Sequence, residues 1–122
     1  MICKTVNRLD AKQRRLYDRA VKELFPEPQE FAVSFYTFAY VNNKPVAVTG
    51  YLLYEGACYL NVVYTMRSYR KQGALRAMLR HILDSQPCIQ WYAGADAVQA
   101  YLNCGAKVYG CAYMYMYKND LK

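Results

Sequence analysis

The run Tyr64-Thr65-Met66-Arg67-Ser68-Tyr69-Arg70-Lys71-Gln72-Gly73-Ala74-Leu75-Arg76-Ala77-Met78-Leu79 constrains the fold more than any other stretch of this chain. A β-rich segment passes through a short cationic turn with one glycine into an amphipathic helix. The helix reading rests on Leu75, Met78, Leu79, Ile82 and Leu83, which recur at helical spacing. Pro87 then precedes a second apolar run, Cys88 to Ala93, read as a buried strand. Strand, helix and strand in that order predict a parallel crossover. The first N–H groups of a helix have no partner inside it, and the helix dipole favours negative charge where they point. Gly73 lets a ligand approach the backbone without a Cβ in the way. Arg70, Lys71 and Arg76 add positive charge around it, so the turn is built to hold phosphate.

The segments around this unit fill in a mixed sheet. Ile2 to Val6 reads as a short first strand. Asp10 reads as an N-cap, with Gln13 placed for a capping box, and the helix from Ala11 to Phe25 puts Leu16, Tyr17, Ala20, Val21 and Leu24 on one face. Pro26 and Pro28 end it, and residues 26–30 read as an acidic loop. Phe31 to Val41, Val46 to Tyr54 and Ala57 to Thr65 read as three strands, turned at Asn42-Asn43-Lys44-Pro45 and at Glu55-Gly56. Short turns between consecutive strands predict an antiparallel meander. A short helix covers Ala95 to Asn103 with Gly105 just past its end, and Ala106 to Tyr117 reads as a closing strand. Its alternation sets Tyr109, Cys111, Tyr113, Tyr115 and Tyr117 on one face, and Val108, Ala112, Met114 and Met116 on the other. The expected fold is α/β: an antiparallel meander followed by a β-α-β crossover, with helices on both faces. The glycine turn falls at the carboxyl end of a central strand, where open α/β sheets bind ligands.

Composition narrows the class. The 122 residues suit one domain, expected to span 1–122. A hydrophobic fraction of 55% argues against disorder, and 14 tyrosines suit half-buried strands. The net charge of +7 favours anionic partners, among them a nucleotide cofactor or nucleic acid. Five cysteines without a Cys-x-x-Cys pair, and one histidine, argue against a zinc site and for small reduced thiols. No secretory pattern opens the chain and no apolar stretch reaches the roughly 18–20 residues of a membrane span, which predicts a cytoplasmic protein that does not enter a membrane. The last strand, rich in tyrosine and methionine, either completes the core or forms a homodimer face.

Two segments together resemble a known family. Arg70-Lys71-Gln72-Gly73-Ala74-Leu75 resembles the Arg/Gln-x-x-Gly-x-Gly/Ala signature of the GNAT acetyltransferase superfamily, with Leu75 departing from its Gly/Ala. Tyr101 and Gly105 resemble the family's later Tyr-x-x-x-Gly-Phe motif, with Ala106 in place of Phe and Gly94 where an Asn is frequent. The order and separation of the two motifs match the family. The resemblance implies acyl transfer from acetyl-CoA to an amine: a protein lysine, an N-terminus or a small amine. It also implies an acceptor cleft opposite the cofactor, at Pro26 to Glu30 and Trp91-Tyr92, where the acidic loop suits a cationic amine such as a lysine or a polyamine. It implies that Gln72, Gly73, Ala74 and Leu75 bind the pyrophosphate through their N–H groups, beside the charges of Arg70 and Lys71. It also implies that the strand end near Val63 and Thr65 pairs with the pantetheine arm as an added strand would, and that Tyr101 protonates the leaving thiolate.

The base is not visible in the sequence. Ala57 to Thr65 carries no carboxylate, and Asn61 could orient a water; Glu55, Glu27, Glu30 and His81 are further candidates. Two other readings stay open: a GNAT-like binding module whose cofactor site is degenerate at Leu75, and a GNAT-like enzyme acting on nucleic acid, with the helix bearing Arg14, Arg15, Arg19 and Lys22 touching phosphates.

Overall fold

The computed structural model describes residues 1–25, 32–94, 96–110 and 113–122. Strand β1 (Ile2–Asn7) leads to helix α1 (Ala11–Leu24), then to strands β2 (Phe35–Val41), β3 (Lys44–Tyr54) and β4 (Ala57–Thr65). Helix α2 (Ala74–Leu83), strand β5 (Cys88–Tyr92), helix α3 (Val98–Asn103) and strands β6 (Lys107–Tyr109) and β7 (Tyr113–Tyr117) complete the described elements. One seven-stranded sheet runs in the order β1-β2-β3-β4-β5-β7-β6. Its first four strands are antiparallel, β4 and β5 are parallel, and β5, β7 and β6 are again antiparallel. The meander, the crossover and the mixed sheet are those expected from the sequence.

Two-residue turns make the meander. Asn42 and Asn43 have φ of 51° and 63°, and Glu55 and Gly56 have 49° and 78°, the left-handed pairs that match hairpin twist. The first turn is tighter than expected, because Lys44 and Pro45 already pair with Val41 and Tyr40. Strand β2 begins at Phe35, later than expected. Ser34 before it is nevertheless fixed on both sides, its N–H to Tyr51 O at 2.8 Å and its carbonyl to Arg8 N at 2.9 Å. The closing segment is a hairpin rather than one strand. Gly110, at φ 73°, turns β6 back onto β7, with Tyr109 opposite Tyr113.

The helices flank the sheet on both faces, as strand alternation dictates. On one face Val21, with Tyr17, Ala20 and Leu24 of α1, covers Val6, Tyr36, Phe38, Val48 and Val62. Leu16, expected on this face, is instead exposed, because the packed stripe runs through Tyr17, Val21 and Leu24. Asp10 caps α1 by accepting from Lys12 N at 2.9 Å. Its own N–H goes to Asn7 O at 3.3 Å, so the Gln13 half of a capping box is not formed. On the opposite face, Leu79, Ile82 and Leu83 of α2 and Tyr101 and Cys104 of α3 pack with Leu60, Ile89, Trp91, Met114 and Met116. Met114 and Met116 thus complete the core, whereas Tyr113, Tyr115 and Tyr117 point to the other, more open face. Among the described residues no helix is long and apolar enough to cross a membrane.

Candidate active site

Two irregularities in β4 shape the site. The first is a bulge. Gly50 of β3 faces Val62 but Tyr51 faces Leu60, so Asn61 is the extra residue. The bulge reverses the alternation. Cys58 and Leu60 point toward α2, Val62 then points toward α1, and Val63 returns to the α2 side. The second is a split. The parallel β4–β5 pairing consists of Cys58 with Ile89 and Tyr59 with Gln90 and goes no further. Beyond it the sheet opens, and a pocket lies on each face of the opening.

The pocket on the α2 face is a groove of about 730 Å³. Val63 and Thr65 of β4 form one side, residues 69–71 and 73–76 the head, and Ala97, Ala100, Tyr101 and Cys104 the other side. Lys71 and Gly73 both have left-handed backbones, with φ of 63° and 87°, and alternation of this kind turns successive N–H groups inward. Gly73 is the N-cap of α2 and supplies no capping side chain. The first helical bond is Ala77 N to Gly73 O at 3.0 Å, so the amides of Ala74, Leu75 and Arg76 have no acceptor within the helix. A Cβ at Gly73 would meet nothing within 4 Å, so the space before these amides is open.

The remaining residues that the sequence pointed to fall around this groove. Arg70 donates from Nε to Thr65 O at 3.1 Å, and its guanidinium lies 5.8 Å from the centre of the Tyr64 ring. It stands at the groove as a fixed charge. Gln72 does not line the groove: its side chain donates to Ser68 O at 2.9 Å and ties the turn together, leaving its backbone as the part available to a ligand. Leu75 lines the groove and packs on the core beneath it, alongside Val63 and Ala97. Tyr101 is 6% exposed and stacks in tilted contact on Trp91, ring centres 4.9 Å apart. Burial, with a smaller contribution from Cys104, pushes its hydroxyl up to about 12. It therefore keeps its proton at neutral pH. No side chain among the described residues is hydrogen-bonded to that hydroxyl.

Asn61 lies elsewhere. It lines the pocket on the opposite face, of about 740 Å³, with Leu52, Tyr59, Tyr92, Tyr109 and Tyr113. Its Nδ2 donates to Ala32 O at 2.6 Å, which ties the bulge to the segment that follows α1. Leu60 and Trp91 also line this pocket, although both belong to the core on the α2 face, where Trp91 packs against Tyr101. Glu55 sits exposed in the β3–β4 turn, and neither it nor His81 lines either pocket. Glu27, Glu30 and Cys111 lie outside the described residues. Sequence reasoning missed the bulge and, of the tyrosine cluster, all but Tyr92. The first had a signal: a lone Asn amid Leu60, Val62 and Val63 is out of place in a regular strand.

A seven-stranded mixed sheet split beside a phosphate-type turn defines an acetyltransferase architecture, and the comparisons agree. The chain belongs to the Acetyltransferase (GNAT) family, whose sequence profile matches residues 3–108. Among solved structures, Tetrahymena GCN5 superposes with a TM-score of 0.74 at 11% identity, covering 100% of this chain and 99% of that one. Arabidopsis thaliana Naa50, in complex with the bisubstrate analogue CoA-Ac-MVNAL, gives a TM-score of 0.69 at 17% identity, covering 95% of this chain and 99% of that one. PaiA N-acetyltransferase from Thermoplasma acidophilum, in complex with coenzyme A, gives 0.60 at 12% identity; the match covers 67% of this chain and 59% of that enzyme. No curated protein matches the sequence at a significant level.

Proposed function

We propose that the protein is an N-acetyltransferase that moves an acetyl group from acetyl-CoA to an amine. The observation that carries this reading is the set of open amides at the start of α2, facing a groove that ends on the Tyr101 hydroxyl. The residues present fit the coenzyme. The amides of Gly73, Ala74 and Leu75 and the charges of Arg70, Lys71 and Arg76 suit a pyrophosphate. The edge of β4 at Val63 and Thr65, which has no strand neighbour past the split, suits the amide groups of the pantetheine arm. The coenzyme supplies an activated acyl thioester.

Each residue of this chain then has a task. The split lets a nucleophile held on the Asn61 side reach a thioester held on the Tyr101 side. Tyr101 Oη, protonated at neutral pH, donates to the sulfur as it leaves. Trp91, packed on the Tyr101 ring, fixes where that hydroxyl points. Asn61, anchored through Nδ2, keeps Oδ1 free to accept a hydrogen bond from the amine or from a water beside it. Leu75 forms a wall of the groove without blocking its amides, which favours a working site over a degenerate one.

Thermal unfolding with and without acetyl-CoA tests the reading. Ligand at about a hundredfold excess over Kd should stabilise the protein by about 2.7 kcal/mol. Gly73→Glu, which sets a carboxylate before the phosphate amides, should abolish the shift. No shift with the wild-type protein would overturn the reading.

A further inference from the structure

The pocket on the far side of the split differs from the groove in every chemical respect. Tyr59, Tyr92, Tyr109 and Tyr113 give it an aromatic lining, Trp91 lies at its edge, and every residue lining it among the described ones is uncharged. The cations of the site all lie on the other face, in the groove. Tyr113 is held from one side by its hydroxyl's hydrogen bond to Gln90 Oε1. Tyr92 and Tyr109 meet it edge-on, with ring centres 4.6 Å and 6.4 Å away and interplanar angles of 70° and 74°. Edge-on packing leaves ring faces free. Tyr92 and Tyr109 are 80% and 70% exposed, the posture of rings that have not yet met what they stack on. The volume of about 740 Å³ is that of a small-molecule site.

We propose that the acceptor held in this pocket, on the Asn61 side of the split, is a small primary amine carried on an aromatic ring. The proposal rests on the acetyltransferase reading above and adds the class of acceptor to it. The ring of the substrate stacks among Tyr92, Tyr109 and Tyr113, and its amine points through the split past Asn61. The amine must be neutral to attack. Beside rings as exposed as Tyr92 and Tyr109 the amine stays in contact with water, to which the ammonium gives up its proton before attack. The amine nitrogen forms the new C–N bond and loses one proton; the thioester C–S bond breaks and its sulfur takes a proton to leave as the free thiol. A polyamine has no ring to stack among these tyrosines and forgoes the contact that this lining offers.

The test uses the whole chain and four acceptors: phenethylamine, spermidine, a lysine-containing peptide and a peptide that begins with Phe. Thiol release measures turnover. The sequence has one tryptophan, so Trp91 fluorescence reports phenethylamine binding without acetyl-CoA present. Phenethylamine should be used with a kcat/KM at least about tenfold above the other three, and should change Trp91 fluorescence saturably. Tyr92→Ala and Tyr109→Ala, both at exposed positions, should each raise its KM about fivefold, with a smaller change in kcat. The proposal fails if spermidine or either peptide is used as well as phenethylamine, or if the two variants leave KM unchanged. It also fails if acetyl-CoA stabilises the protein but phenethylamine leaves Trp91 unchanged; that result spares the reading of the groove. A Trp91 response with no stabilisation by acetyl-CoA removes the acetyl donor, and with it the acceptor role.

Discussion

Gly105 has φ of 101°, and a Cβ built on it would lie 1.9 Å from the carbonyl oxygen of Asp120. The chain's last residues run against the end of α3, where Lys122 N donates to Cys104 O at 2.9 Å. The glycine after Tyr101 is therefore required twice, by backbone conformation and by close approach. Gly105→Ala should cost at least about 3 kcal/mol, from left-handed strain plus displacement of backbone. Denaturant unfolding checks this, with Gly73→Ala as the contrast, since a Cβ there meets nothing within 4 Å and only the strain of about 1–2 kcal/mol remains. Tyr101 allows a prediction in pH. Its hydroxyl is raised in the fold from 10.0 to about 12, chiefly by burial. Between those values the native state holds a proton that the unfolded chain has lost. The stabilising contribution is thus intact below pH 10.0 and is lost as pH rises through about 12. For turnover, the acid form persists over the whole working range. The kcat/KM profile should rise with pH as the amine deprotonates, with no fall due to Tyr101 below pH 10.0. Tyr101→Phe should lower kcat by about 10²-fold and leave the rising limb in place.

Among the elements, a polar joint ties α1 to the sheet. Asp18 Oδ1 accepts from Arg8 Nε at 2.8 Å and from Tyr36 Oη at 2.6 Å. Burial alone would raise the Asp18 carboxyl, but the hydrogen bonds from Arg8 and Tyr36 outweigh it and hold the group below its usual 3.8. Asp18→Asn should cost about 2 kcal/mol at pH 7, the scale of a charge-assisted hydrogen bond. A lowered carboxylate stabilises above its unfolded pKa and ceases to as pH falls through the folded one. Unfolding at about pH 2 should therefore bring wild type and variant together. The elements themselves were largely legible in the sequence, because their signals are local. Two-residue turns at Asn42-Asn43 and Glu55-Gly56 bound the meander strands, and the stripe from Leu75 to Leu83 marks α2. The last hairpin was not legible: Gly110 interrupts an unbroken tyrosine alternation, so the pattern reads through the turn. The groove was legible because a contiguous turn and one helix build most of it. The bulge was not, because an extra residue in β4 exists only relative to its register with β3. Of the tyrosine pocket only Trp91-Tyr92 was legible, because Tyr59, Tyr109 and Tyr113 come from three other strands and meet them only after folding.

For the whole molecule, the decisive feature is that two blocks of antiparallel sheet are joined by a short parallel seam. Cys58–Ile89 and Tyr59–Gln90 are its paired positions, and α2 packs across it, with Leu79, Ile82 and Leu83 against Cys58, Leu60 and Ile89. Past the seam, residues 61–65 have β3 on one side and, among the described residues, no strand on the other. In an antiparallel ladder alternate N–H groups point away from the neighbouring strand, so β4 presents unpaired amides to the opening. Amide hydrogen exchange should resolve these from the rest of the strand. The outward amides of residues 61–65 should exchange fast in the free protein, while those bonded to β3 exchange slowly. Saturating acetyl-CoA should slow the outward set by about tenfold or more, and leave the β3-bonded set at the rate its added stability predicts. Two changes of different size within one strand would mark a ligand laid along its edge. Equal slowing of both sets would mean that the coenzyme stabilises the fold without pairing to β4, and would move its arm out of the split.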